Sequence, residues 1–289
     1  MPRGCSTDAV MLGEIAGPFG SARHIESLPL AAIAAMYQQK CGFDVLPYFK
    51  DAGAIDLFEC TETGYRFWRP EKIAGDESFY RDLSAVWPDY YRDWRWEYGP
   101  TLALLRPSDK LLEVGSGRGF FLRLTQGRVQ SAMGLELNQE AIRNKVTSHE
   151  IHAEMVEQCA RTRAGSFDLV CSFQVLEHVT NPASFIYSCV QCVKSGGLIA
   201  FSTPNIEHAV FANRQDAFDL PPHHVGHFSP EVYRRLAGKY GLHLQSIHRQ
   251  GRYDPRGGGL KSMLKRLANT AHRTIHGPGA CVLAVFRKI

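Results

Sequence analysis

The residues of this 289-residue chain that are best suited to chemistry lie in one glycine-rich stretch. An apolar run, Leu111–Val114, contains the acid Glu113. It is followed at every second position by Gly115, Gly117 and Gly119. Glycine lets the backbone approach a ligand closely, and the N–H groups at the start of a helix attract negative charge. A strand, a tight turn and a helix start in this order predict a site for a charged small molecule, although plain turns of this kind also occur.

The next predicted strand, Ser131–Leu137, carries a second acid near its end, Glu136. In a doubly wound sheet, an acid at this place accepts hydrogen bonds from the ribose hydroxyls of a bound ligand. The alternative is an ordinary surface glutamate. Because the glycine loop and the acid occur in one strand–helix–strand unit, the ribose role is favoured, and the sequence predicts a ligand of the adenosine type.

Two common nucleotide sites fit this stretch poorly. A nicotinamide dinucleotide fingerprint needs a glycine where the helix packs against the strand, and this chain has Phe120 there. The sequence also lacks a Gly-x-x-x-x-Gly-Lys-Ser/Thr phosphate loop. A nicotinamide oxidoreductase is therefore a weaker hypothesis than a protein that binds another adenosine compound.

The elements that must position these residues begin after Pro107, where predicted strands alternate with predicted helices. This alternation is typical of a mainly parallel sheet. We predict an α/β fold with a Rossmann-like, doubly wound, mostly parallel seven-stranded sheet and an N-terminal cap region. The predicted strands are 111–114, 131–137, 151–156, 167–173, 197–202, 242–248 and 281–286, and the main predicted helices are 139–149, 182–194 and 230–241.

The first hundred residues have a different character. In chain order, the sequence predicts a loosely packed tail at 1–27, a helix at 29–40 and short strands at 43–49 and 55–69. Aromatic and charged residues then alternate between Asp76 and Gly99, which predicts amphipathic helices. These helices either fill the core between two lobes or cover a ligand pocket. We predict two regions, with the tail, a ribbon-like segment and the aromatic cap in 1–100 and the ligand-binding domain in 101–289.

Composition limits the partners of the chain. Lysine and arginine number 33 against 29 aspartates and glutamates, a net charge of +4, which is too small to predict nucleic-acid binding. The start of the chain, Met1–Gly20, predicts neither a signal peptide nor a transmembrane segment, and we expect a cytoplasmic protein. The eight cysteines lie mostly in apolar stretches and predict free thiols. The basic segment 260–273 predicts a solvated helix face or, alternatively, contact with a membrane surface.

Alternate glycines after an acid, as in Glu113–Gly119, resemble motif I of the class I S-adenosylmethionine-dependent methyltransferases. Later stretches strengthen the resemblance to their small-molecule branch, which includes ubiquinone-pathway O-methyltransferases. These stretches are Phe167–Val170 with Gln174–Val179, Lys194–Leu198 and Pro221–Pro230. The resemblance covers about Leu102 to Ile289 and implies S-adenosylmethionine as the cofactor.

The resemblance assigns roles only at matching positions. The methionine end of the cofactor would lie along the glycine loop, the ribose at the second acid, and the sulfonium near the end of the fourth strand of the domain. The implied cofactor-binding residues are Glu113, Gly115, Ser116, Gly117, Gly119, Glu136, Leu137, Phe173 and Gln174. The contact to the adenine amino group stays open between Glu154, Glu157 and the backbone near Met155.

Some ubiquinone-pathway members bind a divalent cation through acids and a histidine around this fourth-strand motif. Glu177 and His178 match that pattern, but Gln174 stands where the first acid would be. A neutral amide is a poor ligand for a hard cation, so we predict no metal. The expected role of Glu177 and His178 is to fix the loop and the following helix.

Methyl transfer to a hydroxyl needs an aligned acceptor and removal of its proton. Histidine is the natural base near neutral pH. His223, His224 and His227 lie beyond the fifth strand, on the side of the sheet where ligands bind in such folds. We predict His223 or His224 as the base, with structural roles as the alternative.

The acceptor is inferred mainly by exclusion. Enzymes that methylate amino groups of planar bases resemble one another in an Asp/Asn-Pro-Pro-aromatic motif, and this chain has Gln174–Glu177 at that place. Cys41–Pro70 looks like a worn zinc ribbon of the kind found ahead of methyltransferases for sugars and surface glycans. We therefore expect a hydroxyl of a sugar, a glycan or another secondary metabolite. A quinone or phenolic precursor is the alternative, a non-catalytic cofactor-binding protein is a hypothesis of another class, and the oligomeric state stays open.

Overall fold

The computed structural model describes residues 14–49, 53–87, 93–213, 216–250 and 279–289. The strands in chain order are β1 (Ile15–Gly17), β2 (Gly20–Pro29), β3 (Ala54–Cys60), β4 (Arg66–Arg69), β5 (Lys110–Val114), β6 (Ser131–Leu135), β7 (Glu150–His152), β8 (Phe167–Phe173), β9 (Val193–Pro204), β10 (Gly226–His227), β11 (Leu242–Arg249) and β12 (Cys281–Lys288). The helices are α1 (Leu30–Cys41), α2 (Glu77–Val86), α3 (Tyr98–Leu102), α4 (Phe120–Thr125), α5 (Gln139–Arg143), α6 (Val156–Thr162), α7 (Pro182–Cys192), α8 (Ala209–Ala212) and α9 (Pro230–Lys239).

The main sheet has seven strands in the order β11-β12-β9-β8-β5-β6-β7. Neighbours from β9 to β7 pair in parallel, and β12 runs antiparallel to both β9 and β11. The chain proceeds outward from β5 to β7 and then returns to β8 on the other side of β5. In such a sheet, ligands bind in the crevice at the carboxyl ends of the strands where the direction of winding changes. That crevice lies at the ends of β5 and β8.

The predicted α/β fold and seven-stranded sheet are confirmed. The strand predicted at 167–173 coincides with β8, because a run of apolar residues between polar ones leaves little ambiguity. The helix predicted at 139–149 ends early, at Arg143. Beyond it, the Val146 N–H donates to the carbonyl oxygen of Arg118 at 2.8 Å, so this segment packs on the glycine loop instead of continuing the helix.

A second, antiparallel sheet has the order β1-β2-β3-β4-β10. Its first two strands occupy residues 15–29, so the predicted tail is wrong there. Phe19 and Ala22 are fully buried in that region, and their burial against β3 holds a segment that has little periodicity of its own. The predicted tail upstream of residue 14 lies outside the described residues.

The strand predicted at 43–49 is also wrong. A 3₁₀ turn forms at Leu46–Tyr48 instead. Pro47 has no N–H to offer to a strand ladder, and the side chain of Asp44 accepts a hydrogen bond from the Leu46 N–H at 3.0 Å. The segment 55–69, predicted as strand, forms β3 and β4, which pair antiparallel.

The two sheets are joined by the segment that follows α8. Gly226 and His227 pair with Phe67 and Arg66 of β4, which makes β10 the last strand of the N-terminal sheet. Next to it, the Phe228 ring lies 4.8 Å from the Tyr65 ring between their centroids. A single core cluster contains residues of both sheets. The N-terminal region therefore packs directly against the segment that carries the candidate histidines.

The seven described cysteines are free thiols. None of the helices within the described ranges is both long and apolar enough to cross a membrane. The predicted membrane contact through 260–273 falls outside the described residues.

Candidate functional site

The glycine loop after β5 has the backbone conformation that only glycine adopts readily. Gly115, Gly117 and Gly119 have φ of +75°, +53° and +77°. A Cβ on Gly115 would lie 2.4 Å from a methyl carbon of Val175, and a Cβ on Gly119 would lie 2.5 Å from one of Thr147. The loop is thus a close-packed turn that leads into α4, without room for larger side chains.

Glu136 lies just beyond β6 and organises this loop. One of its carboxylate oxygens accepts the Gly117 N–H at 2.8 Å, and the other accepts those of Leu137 at 2.9 Å and Asn138 at 2.8 Å. A carboxylate offers about four acceptor positions. Ribose hydroxyls would therefore have to share this carboxylate with three backbone N–H groups. The sequence, in contrast, predicts a carboxylate whose hydrogen bonds go to the ribose.

Glu113 lies in β5 with only 3% of its surface exposed. Burial raises the pKa of its carboxyl well above the ordinary value, and the negative charge of Glu136 raises it further. The positive charge of Arg95 opposes this shift. The Oε2 atom of Glu113 and the Oγ atom of Ser116 are buried and accept or donate no hydrogen bond within the described ranges. Buried polar atoms without partners are rare, and they occur here beside the predicted methionine end of the ligand.

The end of β8 contributes two residues with different surroundings. The Phe173 ring packs in the core, 5.0 Å from Phe121 and 5.5 Å from Tyr98 between ring centroids. Gln174 has φ of +54°, which is unusual for a residue with a side chain. Its Nε2 donates to Glu97 Oε1 at 2.8 Å. The strained backbone of Gln174 therefore lies at the sheet crevice, and its amide is already held by a buried acid.

The residues that are candidates for contact with the adenine differ in their surroundings. Glu154 pairs with Arg163 at 3.0 Å, and Glu157 accepts a hydrogen bond from Ser184 Oγ at 3.1 Å. Leu137 and Met155, in contrast, are large apolar side chains with 59% and 51% of their surface exposed. They follow β6 and β7, where the sequence predicts the adenine ring.

Three histidines meet at the other side of the crevice. His178 follows β8, whereas His223 and His224 precede β10. The ring centroid of His178 lies 4.6 Å from that of His223 and 4.9 Å from that of His224. The rings of His223 and His224 are stacked, with 4.4 Å between their centroids. Tyr80 of α2 closes the group, with its hydroxyl 3.1 Å from His178 Nδ1. We call His178, His223 and His224 the histidine cluster.

The Nδ1 atom of each ring in the histidine cluster is bound to an oxygen. That of His178 lies 2.6 Å from the His223 carbonyl, and that of His223 lies 2.8 Å from the carbonyl of Phe218. His224 Nδ1 lies 3.1 Å from Asp219 Oδ1. Because carbonyl and carboxylate oxygens only accept, each Nδ1 carries a hydrogen, which leaves the lone pair of each neutral ring on Nε2.

Burial keeps two of these rings neutral. It lowers the pKa of His178 to about 4, and it lowers the pKa of His223 well below the ordinary range, with a further contribution from the neighbouring His224. His227 lies apart from the cluster and donates from Nε2 to the Asp219 carbonyl at 3.1 Å. The geometry thus brings His178, His223 and His224 together, and it gives His227 a position beside Asp219.

Glu177 lies directly beside the histidine cluster. Only 1% of its surface is exposed, and both its carboxylate oxygens are buried without a hydrogen-bond partner among the residues that the structure describes. His224 Nε2 lies 4.0 Å from its Oε1 atom. Burial raises the pKa of Glu177 to about 8.

Arg95 is the residue that the sequence did not single out for chemistry. Burial raises the pKa of Glu97, Glu113 and Glu177, three acids that come from different elements, and the positive charge of Arg95 opposes each of these shifts. Arg95 is one charged residue among several in the aromatic segment, and its influence on the three acids follows only from the tertiary fold. The aromatic segment contributes Phe79 to the core, and the Tyr80 hydroxyl lies 3.1 Å from His178 Nδ1. That this segment covers a ligand pocket stays a prediction.

Comparison with known proteins gives these residues a family. A family model described as a methyltransferase domain matches residues 87–247, which is more than half of the chain. The chain belongs to this methyltransferase domain family. The membership confirms the resemblance to the class I S-adenosylmethionine-dependent methyltransferases.

Two curated relatives of this methyltransferase are ubiquinone biosynthesis O-methyltransferases. That of Thiobacillus denitrificans is 29% identical over 161 residues, which cover 53% of this chain and 63% of the relative. That of Acinetobacter baylyi is 30% identical over 157 residues, which cover 47% of this chain and 63% of the relative. This methyltransferase therefore matches less than two thirds of the length of either relative.

A solved structure from Haloferax volcanii, a complex between the Trm112 methyltransferase activator and a methyltransferase, is similar in fold. The TM-score is 0.51 at 17% identity, with 66% of this chain and 89% of the other chain covered. At this identity the likeness supports the fold of this methyltransferase alone.

Proposed function

We propose that this protein transfers a methyl group from S-adenosylmethionine to a hydroxyl of a small molecule. The observation that carries the proposal is the joint position of the glycine loop and the histidine cluster at the carboxyl ends of β5 and β8. The loop suits the methyl donor, and the cluster suits the removal of a proton from the acceptor.

The residues of the loop fit the cofactor. Gly115, Gly117 and Gly119 would let its methionine part lie against the backbone, beside the buried Glu113 and Ser116. Glu136 would accept a ribose hydroxyl at the acceptor position that its three N–H partners leave, with the apolar Leu137 and Met155 on the adenine. The main chain of Phe173 and the strained main chain of Gln174 would lie next to the sulfonium. When bound, S-adenosylmethionine supplies a methyl group that is activated by its sulfonium charge.

His224 is the better placed base of the two predicted histidines. Its Nδ1–H is held by the carboxylate of Asp219, which fixes the tautomer and would stabilise the imidazolium after proton uptake at Nε2. The Nδ1–H of His223 is held by a neutral carbonyl, and burial strongly lowers its pKa. As the acceptor oxygen bonds to the methyl carbon, the bond from carbon to sulfur breaks and the acceptor proton moves to His224.

A hydroxyl of a sugar, a glycan or another secondary metabolite remains our first choice of acceptor. The family match omits β1 to β4, and these strands belong to the region that supports the histidine cluster. The acceptor pocket would therefore combine the histidine cluster, which lies inside the matched range, with residues of the N-terminal region such as Tyr80. The names of the curated relatives favour a quinone or phenolic precursor as the second candidate. A cytoplasmic location and the absence of a nucleic-acid partner stay predictions.

The proposal is tested with the His224→Ala variant. We expect loss of at least about 100-fold in methyl transfer to a panel of sugar, glycan and phenolic acceptors, because a positioned base contributes about 10²–10⁴-fold. Binding of S-adenosylhomocysteine, measured by calorimetry, should stay unchanged. The exposed His243→Ala serves as the matched control. Full activity of both His223→Ala and His224→Ala would refute the histidine base, and failure of the wild-type chain to bind S-adenosylhomocysteine would refute the methyltransferase function.

A further inference from the structure

Glu97 is a buried acid outside the motifs on which the sequence resemblance rests. It lies directly before α3, and only 1% of its surface is exposed. The next residue fixes its position, since the Tyr98 ring packs 5.2 Å from Phe121 and 5.5 Å from Phe173 between ring centroids. We infer that Glu97 recognises the positive charge of the methyl donor and so distinguishes S-adenosylmethionine from its neutral product, S-adenosylhomocysteine.

The hydrogen bonds of Glu97 hold it at the carboxyl ends of two neighbouring strands. Its Oε1 atom accepts from Gln174 Nε2 at 2.8 Å and from Ser202 Oγ at 3.1 Å. Gln174 directly follows β8, and Ser202 lies near the end of β9. In the proposed function, the main chain of Gln174 would lie next to the sulfonium. A single side chain, that of Gln174, therefore links the Glu97 carboxyl group to the place of the donor's charge.

The second carboxyl oxygen of Glu97 is unused. Oε2 is buried and has no hydrogen-bond partner among the residues that the structure describes. The two donors to Oε1, an amide and a hydroxyl, are neutral, so neither offsets a negative charge. A buried carboxylate is costly unless a cation neutralises it. A sulfonium carries a positive charge but no N–H or O–H group, so it would neutralise this carboxylate through its charge alone.

The charges around Glu97 favour a cationic ligand. Burial raises the pKa of its carboxyl group, and the positive charge of Arg95 opposes that shift. A nearby positive charge favours the ionised carboxylate, so a bound sulfonium would act in the same direction as Arg95. Burial also raises the pKa of Glu177, and the negative charge of Glu97 raises it further. The two acids thus lie within electrostatic reach of each other, and one bound positive charge would stabilise both.

A purely structural role, in which Glu97 only holds Gln174 and Ser202, is the alternative. The Glu97→Gln variant separates the two roles, because an amide oxygen can still accept both hydrogen bonds while the negative charge is lost. A structural role would change the affinity for the charged donor and for the neutral product alike. Recognition of charge would change only the affinity for the charged ligand.

The experiment measures the binding of S-adenosylmethionine, S-adenosylhomocysteine and sinefungin to the full chain by calorimetry. Sinefungin carries an ammonium group close to the place of the sulfonium. In Glu97→Gln, the affinity for the two cationic ligands should fall by at least about 10-fold, as expected for loss of a buried charge partner, and that for S-adenosylhomocysteine by less than about 2-fold. The exposed Glu77→Gln is the matched control and should bind all three ligands as the wild type does.

An equal loss of affinity for charged and neutral ligands in Glu97→Gln, or no loss for either, would overturn the inference. If this variant binds none of the three ligands, Glu97→Ala is measured in the same way. Failure of both variants to bind S-adenosylhomocysteine would show a structural role and would likewise overturn the inference.

The inference rests on the proposed function for its cofactor, and the outcomes keep the two apart. A wild-type chain that binds none of the three ligands would refute both. A preference for the cationic ligands that Glu97→Gln removes, in a chain that methylates no hydroxyl acceptor, would keep the inference and refute the proposed transfer. Methyl transfer by the wild-type chain, with the same ligand preference in Glu97→Gln, would refute the inference alone.

Discussion

At the scale of single residues, the candidate site is marked by buried acids. Glu97, Glu113 and Glu177 are each at most 3% exposed, and burial raises the pKa of all three. Each also has at least one carboxylate oxygen without a hydrogen-bond partner within the described ranges. Natural proteins rarely keep such groups in the core, and those that do so often use them at functional sites.

Glu113 gives a prediction on pH. Its pKa is raised in the folded state, so the folded protein binds a proton that the unfolded chain releases above about pH 4. Stability should therefore fall as the pH rises from the ordinary carboxyl pKa towards the raised one, with a slope of up to about 1.4 kcal/mol per pH unit. Glu113→Gln should remove this contribution.

The measurement is urea unfolding of the wild-type chain and of Glu113→Gln between about pH 5 and pH 8. The variant should gain stability relative to the wild-type chain as the pH rises. A difference that stays constant over this range would show that Glu113 keeps an ordinary pKa in the folded state.

At the scale of elements, the short strand β10 has the largest effect on the site. It pairs with β4 immediately after His223 and His224, and thereby fixes where the histidine cluster forms. Gly226 of β10 lies against Tyr65, and a Cβ at this position would lie 2.0 Å from the Tyr65 hydroxyl oxygen. This close approach requires glycine for steric reasons.

We expect Gly226→Ala to destabilise the protein by about 1–3 kcal/mol, the usual cost of overpacking, and to reduce methyl transfer by displacing the histidine cluster. Gly238→Ala in α9 is the matched control. Its Cβ would meet no atom within 4 Å, and alanine should stabilise the helix by about 0.5–1 kcal/mol. Thermal unfolding of both variants measures the difference in stability. Equal stability would show that β10 accommodates the added methyl group without loss of stability.

The sequence predicts the main sheet because its strands are continuous apolar runs, as in Phe167–Phe173. It also predicts the glycine loop and Glu136, since both depend on local spacing. The N-terminal strands are missed because residues 15–27 lack a clear period, and their strand pairing is imposed by β3. The histidine cluster could not be predicted, since His178 and His223 are 45 positions apart and meet only through the pairing of β10.

At the scale of the whole molecule, the division into 1–100 and 101–289 stays a prediction, and the structure ties both parts together. Trp68 of the N-terminal sheet is buried in a cluster that also contains Leu220 and Val225, which precede β10. A further cluster joins Tyr65 and Phe67 to the strands of the main sheet. Two regions that share cores in this way should unfold together.

We therefore expect a single cooperative transition in denaturant. Trp68 is buried with the N-terminal sheet, whereas Trp94 and Trp96 pack against the main-sheet core. The fluorescence of a variant that keeps Trp68 as its single tryptophan therefore reports on the N-terminal part, whereas circular dichroism reports on the whole chain. The two midpoints should coincide, as two-state unfolding requires. Two separated transitions would contradict this expectation and would show that the regions are independent.

The insertion of β10 into the N-terminal sheet also bears on how this protein can be recombined with its relatives. A chimera that exchanges only residues before α3 would leave the edge of a foreign sheet without the strand that covers it, and exposed edges promote aggregation. Exchange of the N-terminal sheet would need to move its strands and the segment from Asp216 to Pro230 as one block.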